Sequence, residues 1–222
     1  MGLGRASDPA YARHMTSRFV ISLFIAAQVL TCGGEAWAAT APAAPLDAPA
    51  LPDASPKPEE AGRAEVLNTL FGKLAQAKSA PEAKAIEAAI YDVWMRSGSP
   101  SVDLLMGRGL DAFGEKNYDR ALFYFNEVVA LDPNFVEGWD KRAAIFFLKD
   151  DYASALKDIE HVLKLEPRHF GAMGGLAVIL QDLGDKKGAL DIYRRALKLD
   201  PWFDGAAEAE KSLSIDIEGR GI

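Results

Sequence analysis

The side chains that could do chemistry in this chain of 222 residues are few, and their spacing decides what they are for. His161 and His169 are the only histidines after residue 38. His161 falls mid-helix beside Val162, and His169 falls at a junction beside Arg168. Neither has a second ligand at metal-binding spacing, so both read as solvated or hydrogen-bonding histidines, and no metal site is expected. Glu59-Glu60 and Asp150-Asp151 are adjacent carboxylates, but they read as a solvated helix start and a turn rather than as an acid–base pair. Gly171-Ala172-Met173-Gly174-Gly175 has the composition of a phosphate loop. No strand precedes it, and glycines inside a helix serve close approach of another element instead. No serine or threonine sits in a nucleophile motif. The expectation is a chain with no catalytic residues and no cofactor, and a cell-envelope enzyme is the weakest reading of its function.

The elements that must position these groups repeat. Pro133, Pro167 and Pro201 stand 34 residues apart, closing the phrases ALFYFNEVVALDP, ALKDIEHVLKLEP and ALDIYRRALKLDP. With each proline at position 32, the units are 102–135, 136–169 and 170–203. Position 8 is then Gly109, Ala143 and Ala177, and position 20 is Ala121, Ala155 and Ala189. Position 24 is Phe125, Ile159 and Tyr193, and position 27 is Val128, Val162 and Ala196. Small residues at 8 and 20 let two antiparallel helices touch, and apolar bulk at 24 and 27 packs onto the next helix. Turn residues stand between the helices, at Glu115-Lys116-Asn117, Lys149-Asp150-Asp151 and Gly184-Asp185. The proline ends each second helix because it lacks an N–H and restricts the residue before it.

Over roughly residues 99–203 this pattern resembles the tetratricopeptide repeat family. Leu105, Arg108 and Lys186 depart from it at positions 4, 7 and 17. The resemblance implies an all-α, right-handed superhelical stack of helix-turn-helix repeats. It also implies that the first helix of each repeat lines a concave groove in which a protein or peptide partner lies. The groove positions carried over are Met106, Leu110 and Phe113 in the first unit; Asp140, Lys141, Ala144 and Phe147 in the second; and Val178, Gln181 and Asp182 in the third. One subclass of the family grips a peptide carboxylate with basic and amide side chains at these positions. That set is missing here, where Lys141 is the only basic residue. The groove therefore reads as apolar in its middle with acidic rims, suited to an amphipathic helix or an apolar extended segment. Phe113 and Phe147, both at position 12, are expected to share one outlook as an anchor pair.

The array has flanks. Residues 61–98 read as a helical hairpin that does not fit the 34-residue template, either a degenerate repeat or an N-terminal cap. Its stripes are Val66, Leu67, Leu70, Phe71 and Leu74, then Ile86, Ala89, Ile90, Val93 and Trp94. Ser79-Ala80-Pro81-Glu82 has the form of a capping box. The hairpin and the C-terminal helix are both able to fill the groove. Residues 204–222 read as a capping helix over Asp204–Leu213 with a frayed tail.

Residues 1–38 have the pattern of a signal peptide: Arg5, Arg13 and Arg18, an apolar core from Phe19 to Leu30, and Ala36-Trp37-Ala38 before a new N-terminus at Ala39. The core is too short to span a bilayer. The rival is Val29-Leu30-Thr31-Cys32, a lipoprotein-like box that would lipidate Cys32, tie the chain to a membrane and make it an outer-membrane assembly factor. Cleavage after Ala38 leaves no cysteine, which suits an oxidising periplasm. Residues 39–60, rich in Ala and Pro, read as an extended linker. The net charge of −7 becomes −8 when three arginines and two acids leave with the signal segment. An acidic chain without a basic stripe argues against nucleic acid as a partner.

Overall fold

The computed structural model describes residues 58–219, which form nine helices and no strand. The signal segment with Cys32, most of the Ala/Pro stretch and residues 220–222 lie outside the described residues. The helices are α1 (Pro58–Leu74), α2 (Ala80–Trp94), α3 (Pro100–Gly114), α4 (Tyr118–Leu131), α5 (Val136–Leu148), α6 (Tyr152–Leu165), α7 (Phe170–Asp182), α8 (Lys186–Leu199) and α9 (Ala206–Glu218). None of them is long and apolar enough to cross a membrane. Helix α1 begins at Pro58, inside the stretch read as linker.

The 34-residue period is built by local chemistry repeated in register. Lys116, Asp150 and Gly184 take the left-handed conformation between paired helices, with φ of 59°, 60° and 88°. One residue later Asn117, Asp151 and Asp185 cap the second helix, their side chains accepting from the N–H groups of Arg120, Ser154 and Gly188. At the other end Asp132, Glu166 and Asp200 accept from the N–H groups two residues on, at 3.0, 3.0 and 2.9 Å. Position 8 must be small: a Cβ on Gly109 would lie 2.4 Å from the Phe125 ring. Ala121, Ala155 and Ala189 are fully buried where paired helices touch.

The upstream hairpin does not continue the stack. In the second and third repeats, positions 3 and 10 are Gly138, Ile145, Ala172 and Ile179, all buried. In the first repeat they are Leu104, 56% exposed, and Asp111, with Arg108 beside them, also exposed. Burying a hairpin on a face that carries two charged side chains would cost their desolvation. Helices α1 and α2 instead fold across to the third repeat. Leu67, Phe71, Leu74, Ile90 and Trp94 share one core with Phe170, Met173, Tyr193, Phe203 and Leu213. Val66, assigned to the apolar stripe, is exposed. The C-terminal helix runs further than its apolar pattern suggested. Ser214 and Asp216, placed in a frayed tail, are helical and are held by Arg194 and Lys186.

Candidate interaction groove and the hairpin seated on it

The concave face divides into an open end and a covered end. At the open end Leu110 and Phe113 are partly exposed, flanked by exposed Asp103, Gly107 and Gly114. The Phe113 ring leans on Tyr118 at 5.9 Å. Met106 belongs to the core with Val102, Phe125 and Phe135 rather than to the surface.

The expected anchor pair is not a pair. Phe147 is 3% exposed, stacked on Tyr152 at 5.7 Å and packed among Ile159, Val178 and Ile179. Val178 is buried with it. Gln181 accepts from the Tyr193 hydroxyl and Asp182 from the Tyr152 hydroxyl, so both serve contacts between helices. Of the ten groove residues read from sequence, Leu110, Phe113 and Ala144 keep partial exposure and apolar character.

At the covered end helix α2 lays an aromatic edge on the third repeat. Trp94 stacks on His169 at 4.2 Å and 15°, and lies 5.5 Å from Phe170. Tyr91 meets Phe170 edge-on at 5.4 Å, and Phe71 packs on both Trp94 and Phe170. Gly171 makes this approach possible, since a Cβ there would stand 2.4 Å from the Tyr91 oxygen. Polar ties surround the aromatic contact. Arg168 covers Phe71 at 4.6 Å and donates to Asn68. Trp202 donates to the Ala77 carbonyl, and Lys84 pairs with Asp204 at 2.8 Å.

Beneath Tyr91 lies a buried ionic cluster. Glu137 and His169, each 0% exposed, are 3.1 Å apart. Lys141 Nζ lies 2.7 Å from Glu137 and 2.8 Å from Asp140. Lys141, placed in the groove by the repeat register, is buried and already paired. Burial would raise the pKa of Glu137, but the Lys141 charge and the His169 hydrogen bond outweigh it and hold the group at about 2. Burial would likewise discharge Lys141, and Asp140 with Glu137 raise its pKa instead. His169 Nδ1 accepts from the Ala172 N–H and caps α7, which leaves Nε2 to donate to Glu137. The carboxylates of Asp140 and Glu137 raise its pKa against burial, but a second proton on the ring would break the cap.

The reading of His169 as lacking co-ligands is corrected here. Glu137, Asp140 and His169 bring ligand atoms within 4.8 Å of one another. They do not fit a metal, because the Lys141 ammonium already bridges the two carboxylates and the His169 lone pair is committed to the cap. Sequence spacing missed this cluster because Glu137 and Asp140 open the second repeat and His169 closes it, so that 32 residues separate Glu137 from His169. A signal existed: His169 occupies the register of Phe135 and Phe203, both buried. His161 is not freely solvated either, lying 4.0 Å from the Trp139 ring.

Between the two ends a cavity of ≈ 60 Å³ remains. Ala143, Ala144, Phe147, Ile159, Ala172 and Ile179 line it, with Tyr91, Asp140 and Lys141 at its polar edge.

A stack of paired helices with period-34 caps and a concave face is the architecture of a repeat scaffold. Residues 102–135 and 141–201 match the tetratricopeptide repeat family. A TPR repeat-containing protein of Rhizobium etli is 36% identical over 153 residues, covering 69% of this chain and 75% of the relative. The chain belongs to the tetratricopeptide repeat family. A heat shock protein sti1 homolog of Schizosaccharomyces pombe is 32% identical over 96 residues, but this chain spans only 16% of its length. Among solved structures the Arabidopsis OM64 TPR domain superposes with a TM-score of 0.50 at 23% identity, covering 53% of this chain and 97% of that domain. The first TPR of Spaghetti (RPAP3), bound to an HSP90 peptide, has a TM-score of 0.50 at 21% identity, covering 53% of this chain and 93% of that one. Both likenesses concern the fold. Proteins of this family serve as protein–protein interaction scaffolds.

Proposed function

We propose that this chain is a non-enzymatic scaffold of the bacterial periplasm that holds a helical or extended apolar segment of a partner protein on the open end of its concave face. The observation that carries this reading is the covered end, where the same face already holds an amphipathic helix, α2, through aromatic contacts. A surface that accepts Tyr91 and Trp94 offers a neighbouring partner segment Leu110, Phe113 and Ala144, with a small apolar cavity beyond them. Acidic, exposed Asp103 at its edge favours a segment with a basic flank. The polar groups beside the cavity are committed to one another, which supports binding over catalysis.

The test is site-specific photo-crosslinking in the cells that express the protein. A photoreactive residue at position 113 or 144 should give the same discrete adduct, and one at exposed Lys157 on α6 should give none. Equal labelling at all three positions defeats the groove reading. Export rests on the sequence of residues 1–38 and has its own check. The mass of the mature N-terminus should correspond to Ala39. A lipid on Cys32 would instead support the membrane-anchored assembly factor.

A further inference from the structure

The hairpin meets the end of the array through two acids. Glu87 of α2 is 4% exposed, and Asp200, in the turn after α8, is 0% exposed. The two carboxyls face each other across 113 residues of sequence, close enough for the Glu87 charge to act on Asp200. Glu87 Oε2 accepts from Lys84 at 2.9 Å, and Asp200 Oδ1 accepts from the Trp202 N–H at 2.9 Å. The remaining oxygens, Glu87 Oε1 and Asp200 Oδ2, are buried and have no hydrogen-bond partner. Two carboxylate oxygens repel unless a proton lies between them. One proton shared between these two oxygens would remove the repulsion and give both a partner. The other titratable groups around it are Lys84 and Tyr91 on α2 and Asp204 in the turn before α9. His169, in the same interface, belongs to the Glu137 cluster.

We propose that the Glu87–Asp200 pair is a proton-operated latch: the hairpin stays on the third repeat while the pair holds its proton, and loss of that proton loosens the hairpin and uncovers Phe170 and Gly171. Whether a partner then uses the uncovered surface rests on the groove reading; the latch itself does not. The sign follows from where the proton binds. With the hairpin lifted, the solvated Asp200 carboxyl returns to its ordinary range near 4. With it docked, burial and then the Glu87 charge push Asp200 up to about 7. The docked form binds the extra proton between those values, so docking is strongest in acid. It weakens by about tenfold per pH unit from roughly 4 to 7 and levels off above that.

Hydrogen exchange of the full chain tests this between pH 5 and 8, with rates corrected for intrinsic exchange. Protection of the α2 amides, measured against the α5 and α6 amides, should fall about tenfold per unit and flatten above 7. In Glu87→Gln the amide donates permanently to Asp200 and the slope should vanish. Asp200→Asn keeps the acceptor for Trp202, donates to Glu87, and should abolish the slope as well. If Glu87→Gln undocks at every pH, Asp200→Asn still decides the matter. A flat wild-type profile overturns the latch. So does the same slope in both variants, which would move the titration to His169. An intact slope without crosslinks at positions 113 and 144 would defeat the groove reading and leave the latch standing.

Discussion

The first and third repeats share one backbone plan and end in opposite states. The concave side of the first keeps Leu110 and Phe113 partly exposed, whereas that of the third is roofed by α1 and α2 and stands next to a buried ionic cluster. Phe113 and Phe147, at one position of the first and second repeats, differ as well: one is half-open and the other is packed with Val178 and Ile179 of the third repeat. Position in a repeat fixes where a side chain points. What it meets there depends on which neighbour arrives: the hairpin shares a core with the far end of the array, while the α3 face with Arg108 and Asp111 stays exposed.

The largest way to break this contrast is Lys141→Met, which leaves Glu137 and Asp140 buried without their cation. It should cost about 3–5 kcal/mol in urea denaturation. Because Glu137 is held at about 2, its contribution is present above its usual value near 4.5 and is lost as pH falls toward 2. Acid thus weakens the ionic cluster over a lower range than the one in which it strengthens hairpin docking. If the variant unfolds at the wild-type denaturant midpoint, the cluster is structurally idle.

The paired phenylalanines give a second contrast. Phe147→Ala should cost about 3–5 kcal/mol, as large-to-small core changes do, and Phe113→Ala about 1 kcal/mol because its ring is only partly covered. Equal costs would mean that the two positions are alike after all. Ala155→Leu should cost about 1–3 kcal/mol, since it overpacks the contact between α5 and α6, and exposed Lys157→Leu should change the midpoint little. Two glycines sharpen the comparison at the smallest scale. Gly171→Ala pushes against Tyr91 and should selectively raise exchange of the α2 amides. Gly107→Ala meets nothing within 4 Å and should stabilise the chain by about 0.5–1 kcal/mol through helix propensity. A stabilising Gly171→Ala would show that the hairpin sits less closely than described.

The sequence by itself determined the repeats. Their caps, left-handed turns and small contact positions are interactions between residues near in the chain, and each recurs every 34 residues, so the register of α3 to α8 was legible. The hairpin helices were legible too, through their stripes and the Ser79 cap, whose side chain accepts from the Glu82 N–H. Only the tertiary structure decided where the hairpin goes and which groove residues remain available. Glu87 and Asp200, or Trp94 and His169, lie far apart in the chain, and no period links them. Arg108 and Asp111 did carry the warning that no described helix stacks on the outer face of α3. Their meaning emerges only when α3 is seen beside Ile145 and Ile179, whose equivalent positions are buried. Local capping and packing of consecutive helices repeat with the sequence. Docking of a non-repeating hairpin depends on complementary surfaces that occur once, so it becomes visible only in the folded molecule.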